Sequence, residues 1–117
     1  MSCTRTAFLL VVAASAGLGC ATVSGARHYQ AGTAALERGD AERAVQDLET
    51  AARELPEASE IQNHLGLAYE ASGRPAAALA AFERAVALDC DNQPARHNLA
   101  LARHRLRRQP GLPDPTP

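Results

Sequence analysis

The chain has 117 residues, and its 12 basic and 13 acidic side chains leave a formal net charge of −1. Every basic residue is arginine and alanine is abundant; a GC-rich genome encodes both, so neither demands a functional explanation. A chain of this size buries one modest core.

Residues 1–21 read MSCTRTAFLLVVAASAGLGCA. Arg5 gives a short positive start, and residues 7–18 are apolar and uncharged. That run is shorter than the roughly 20 residues a membrane-spanning helix needs. A charged start, a short apolar core and small residues after it form a secretory signal, so residues 1–19 are expected to be an export segment. Leu18-Gly19-Cys20 resembles a bacterial lipobox, in which the cysteine is lipidated and becomes the mature N-terminus. Gly17 stands where an apolar residue is usual, a departure from that pattern. The resemblance implies lipidation of Cys20 and, because Ala21 rather than Asp follows, an outer-membrane lipoprotein facing the periplasm. Cleavage after Ala14-Ser15-Ala16 into a soluble periplasmic protein is the alternative, and an uncleaved anchor a third.

Residues 20–26 are expected to be a tether. Helices follow over 27–38, 41–55, 59–72, 75–88 and 94–108. Gly39 ends the first, Asp40 is a good N-cap for the second, and Glu42 adds a favourable charge in its first turn. Pro56 closes that pair. Ser59 is expected to cap the third helix. Gly73 can take a left-handed conformation past the third helix, and Pro75 suits the first turn of the fourth. Asp91-Asn92 restarts the chain for the fifth. The tail, QPGLPDPTP over 109–117, is dense in proline and expected to be disordered.

The third and fourth helices carry Leu65-Gly66, Tyr69, Gly73, Ala78, Phe82 and Ala85. Leu65, Ala68 and Tyr69 share one helical face, as do Ala78, Phe82 and Ala85. A shift of thirty-four residues aligns Gly32 with Gly66, Gly39 with Gly73, Ala44 with Ala78 and Ala51 with Ala85, while Leu48 stands in for Phe82. A forward shift aligns Leu65 with Leu99 and Ala68 with Ala102. This pattern resembles the tetratricopeptide repeat. The resemblance covers residues 27–108 and implies an all-α, right-handed α-solenoid: repeat 1 over 27–58, repeat 2 over 59–92, and a capping helix over 93–108 that covers the last apolar face.

The resemblance also implies a non-catalytic module that binds peptides in a groove lined by the first helix of each repeat. The candidates there are Tyr29, Thr33, Leu36, Asn63, Leu67, Glu70, His97, Leu101 and His104. Some family members hold a terminal carboxylate with basic and asparagine residues; Tyr29, Thr33, His64 and Pro94 occupy those slots here and supply no such clamp. By analogy, such lipoproteins assist assembly of pili, secretins or other outer-membrane machinery. The partner expected is another envelope protein.

Residues 37–91 hold twelve acids and five arginines, whereas 93–108 hold Arg96, Arg103, Arg105, Arg107, Arg108 and no acid. Arginines near a helix C-terminus favour its dipole, but this cluster exceeds that need. It forms a candidate basic patch for an acidic partner, an anionic lipid surface or the acidic face of a second copy, which keeps a self-associating scaffold as the rival function. Nucleic acid is argued against by export. His97 and His104 are expected to be exposed polar residues, not metal ligands. Cys90 is expected to be a half-buried thiol, with a Cys20–Cys90 bridge left open. No motif for catalysis, phosphate cradling or calcium binding is present, so no cofactor or metal is expected.

Overall fold

A computed structural model describes residues 18–109. The expected export segment up to residue 17, and the tail beyond Gln109, lie outside the described residues. Five helices follow one another: α1 (Leu18–Glu37), α2 (Ala41–Glu54), α3 (Ser59–Ala71), α4 (Pro75–Leu88) and α5 (Gln93–Arg107). Among the described residues there is no strand, and no helix is long and apolar enough to cross a membrane.

Local chemistry sets the boundaries. Gly39 and Gly73 adopt φ of +77° and +76° just past α1 and α3. At each, the glycine N–H and the N–H after it donate back into the last turn: Gly39 to Leu36 and Asp40 to Ala35, then Gly73 to Glu70 and Arg74 to Tyr69. That reciprocal pair stops a helix by satisfying carbonyls that would otherwise be orphaned. Asp40 then accepts from the Arg43 N–H at 3.2 Å, and Asn92 from the Ala95 N–H at 3.0 Å, which starts α2 and α5. Pro75 and Pro94 sit in first turns, where no amide is needed.

Two expectations are corrected. Ser59 does not cap α3; Ala58 holds that position without a side-chain bond. The Ser59 hydroxyl instead donates to the Ala85 carbonyl at 2.8 Å and accepts from Asn92 Nδ2 at 2.8 Å, tying the start of α3 to the turn before α5. Residues 20–26 are not a tether but the first turns of α1. Gly25 is buried there against Leu55 and Glu54, and the Ser24 hydroxyl donates to Glu54 Oε1 at 3.2 Å. Small residues that read as a linker are what permit this approach.

The helices form two antiparallel hairpins, α1–α2 and α3–α4, with α5 laid against α3 and α4. One cluster joins α1 to α4 through Ala35, Ala44, Val45, Leu48, Leu65, Ala68 and Ala81; a second joins α4 to α5 through Ala78, Phe82, Leu99 and Ala102. Leu48 and Phe82 are the largest side chains with 0 % exposure. Each lies over a glycine of the preceding helix: a Cβ at Gly32 would stand 2.5 Å from Leu48 Cγ, and one at Gly66 would overlap the Phe82 ring. The thirty-four-residue repeat is thus a repeated packing event, one large side chain over one glycine.

Candidate functional site

Packing α3 against the start of α5 leaves an open cavity of about 770 Å³. Its floor is Asn63, His64 and Leu67 from α3 with Pro94 and Asn98 from α5, and its rim includes Ser59 and Asn92. The walls are held by hydrogen bonds. Asn98 Nδ2 donates to Asn63 Oδ1 at 2.9 Å, and the Ser59–Asn92–Ala95 chain fixes the rim. His64 Nδ1 lies 2.9 Å from the Glu60 carbonyl and 3.2 Å from the Tyr29 hydroxyl. Protonated there, it donates to the carbonyl; unprotonated, it accepts from Tyr29. The two rings meet edge to face at 5.3 Å. The Tyr29 hydroxyl pKa is raised, first by burial and then by the Glu60 carboxylate.

The cavity is acidic. Glu57, Glu60 and Asp89 line it, and no arginine does. It therefore opposes a carboxylate and suits a cation, in keeping with the absence of a terminal-carboxylate clamp.

Of the nine groove candidates, the cavity brings together Asn63 and Leu67. Tyr29 and Leu36 are half-buried against the first core cluster, and Leu67 packs on the second as well as lining the cavity. The Thr33 hydroxyl donates into its own helix, to the Tyr29 and Gln30 carbonyls. Glu70 accepts from Arg105 Nη1 at 2.7 Å, and the pair lines a second hollow of about 320 Å³. His97, Leu101 and His104 are exposed on α5 and line neither space.

The five arginines do not form one free patch. Arg103 pairs with Glu83 of α4 at 3.2 Å and Arg105 with Glu70 of α3, so the helix turns them onto different neighbours. Arg96, Arg107 and Arg108 are exposed, with no ion pair among the described residues. Cys90 is disulfide-bonded, which corrects the expected thiol, and Cys20 is free and exposed, so no Cys20–Cys90 bridge forms. Among the described residues no three His, Cys, Asp or Glu side chains converge as metal ligands.

Sequence reasoning missed Glu57, Glu60 and Asp89 as neighbours. The acidic excess of residues 37–91 was the signal, but only the fold brings the turn before α3 to the turn before α5.

Stacked helical hairpins, a large side chain seated over a glycine in each, and an open face between first helices define a repeat module. A family model described as tetratricopeptide repeat matches residues 29–97, more than half of the chain, and the chain belongs to that family. No curated protein matches it. Repeats of this family generally mediate protein–protein interactions.

Proposed function

We propose that the chain is a non-catalytic adaptor that binds another protein at the bacterial cell envelope and aids assembly of an envelope complex. The observation that carries it is the open cavity between α3 and α5, walled by rigid hydrogen bonds and left unfilled by the chain's own described side chains. Export by residues 1–19 and lipidation of Cys20 place the module at the membrane. What supports this is the charged start, the short apolar run and the Leu18-Gly19-Cys20 sequence, together with the exposure of the free Cys20 thiol. Because α1 already includes residue 20, an acyl chain on Cys20 would hold the solenoid close against the bilayer, without a flexible spacer.

Self-association through the basic capping helix is the weaker function, since Arg103 and Arg105 are spent on internal ion pairs.

In-cell crosslinking of the full-length protein should recover one envelope protein in near-stoichiometric amount. Recovery of the chain alone would replace the adaptor by a scaffold. Incorporation of an alkyne-tagged fatty acid should be lost in Cys20→Ser, with release from the membrane fraction; unchanged labelling in that variant would sink the anchor.

A further inference from the structure

Both hairpins close on one event: a large side chain of the second helix seats over a small residue of the first, Leu48 over Gly32 and Phe82 over Gly66. The thirty-four-residue step that takes Gly32 to Gly66 takes Gly66 to Ala100 of α5. Gly32 and Gly66 are buried, whereas Ala100 is exposed, because among the described residues no second helix follows α5. The eight residues after Gln109 include four prolines, which is not the sequence of a hairpin helix. Arg96, Arg103 and Arg107 are exposed and form one line beside Ala100. At about 100° per residue their directions differ by only about 40°, over roughly 16 Å of helix. A terminal helix of a repeat array needs a polar outer face, which accounts for polarity there but not for its single sign. The helix dipole favours Arg103 and Arg107 near the end of α5 but opposes Arg96 in its first turn. Arg96 and Arg107 hold no ion pair among the described residues, and Arg103 holds only Glu83, in a half-exposed and therefore weak pair.

We infer that the Ala100 face of α5 docks an acidic amphipathic helix of another protein, with a large apolar side chain seated on Ala100 and carboxylates aligned with Arg96, Arg103 and Arg107. The assignment rests on the protein-binding role proposed above and gives it a second face. Asn98 and Arg105, which reach α3, lie roughly opposite Arg96 around α5, so this surface is turned away from the cavity between α3 and α5. The occupant is a helix because a helix fills the equivalent position in each hairpin of this chain, and because the arginine line has helical spacing that acids three, four and seven residues apart on a facing helix would match. Its carboxylates would take Arg103 from Glu83 and supply Arg96 and Arg107 with partners. A second copy does not offer such a helix: the acidic second helix α2 has Leu48 and Asp47 buried in its own hairpin.

The test is titration of the full-length protein with a capped, helix-forming peptide that carries one phenylalanine on its apolar stripe and glutamates flanking that stripe, against the same peptide with glutamine for glutamate. Binding of the glutamate peptide should be saturable and should weaken as salt is added. It should fall about tenfold or more in the double variant Arg96→Gln, Arg107→Gln. It should fall as far in Ala100→Arg, which adds a positive charge but covers the seat. All three sites are exposed, and an unchanged unfolding midpoint in each variant shows that the fold is retained. Equal affinity for the glutamine peptide, or no binding of either, overturns the assignment. So does unchanged or tighter binding by Ala100→Arg, which would reduce the attraction to diffuse charge. Self-association of the full-length protein that Ala100→Arg abolishes overturns it as well, by making the occupant a second copy. The two proposals fail separately. An Ala100→Arg chain that loses the peptide but still captures the same envelope protein sinks the α5 surface and spares the adaptor. A wild-type chain that binds the peptide but captures no protein in cells sinks the adaptor and spares the surface.

Discussion

Gly66→Ala isolates the packing event on which the repeat is built. A Cβ at residue 66 would lie within 2.8 Å of three atoms of the Phe82 ring, nearer than real Cβ atoms come to anything. Phe82 is 0 % exposed, so its ring cannot swing aside into solvent. Overpacking of this kind costs about 1–3 kcal/mol. Alanine returns up to about 1 kcal/mol, because glycine is a poor helix former. Crowding wins, and the variant should be less stable by about 1–2 kcal/mol. With a urea m-value of about 1–2 kcal/mol/M, the unfolding midpoint should fall by about 1 M, read by circular dichroism. The companion variant is Phe82→Leu, which imitates the Leu48 over Gly32 arrangement of the first repeat. Alone it loses stability through the space vacated. Combined with Gly66→Ala it should lose less than the sum, because the new methyl fills that space, with a coupling of about 0.5 kcal/mol or more. A Gly66→Ala protein as stable as the parent, or strictly additive changes in the double variant, would refute close contact between residue 66 and the ring.

Three further outcomes follow from the contacts. Gly73→Ala should cost about 1–2 kcal/mol in the same assay from backbone conformation alone, since φ is +76° and no atom crowds the added methyl. The Tyr69 hydroxyl donates to Glu49 Oε1 at 2.6 Å, and its pKa is pushed up to about 12, by burial first and then by Glu49. A folded pKa above the unfolded value of 10.0 gives a contribution that is complete below pH 10 and lost as pH rises through about 12, so Tyr69→Phe should flatten the alkaline fall in melting temperature. For Asp47, burial raises the carboxyl pKa, but hydrogen bonds from Arg43 at 2.8 Å and His28 at 3.1 Å outweigh it and hold it low. Its contribution is present above the unfolded carboxylate range and lost as pH falls through the folded value. Asp47→Asn should therefore lose roughly 1–3 kcal/mol at neutral pH and show a shallower acid transition; a parallel shift of the whole curve would count against the ion pair.

What the sequence disclosed and what it withheld divide by range. Gly39, Asp40, Gly73, Pro75 and Asn92 act on backbone groups within a few residues, so four of the five helices begin and end within about two residues of where those signals put them. The start of α1 lacks any such signal. Its register depends on Gly25 meeting Leu55, thirty positions away, and nothing near Gly25 distinguishes a glycine for flexibility from a glycine for close approach. The same distinction governs the two charged features. Glu57 and Asp89 are distant in the chain but share a cavity, because two turns at the same end of neighbouring helices meet in the stack. Arg103 and Arg105 are two residues apart but share nothing, because two steps around a helix carry side chains to different faces, one to Glu83 and one to Glu70. A run of like charge in a helical sequence is therefore not yet a patch. On this chain two turns assemble an acidic cavity lining from residues far apart in sequence, whereas two of the five clustered arginines, Arg103 and Arg105, reach across to α4 and α3.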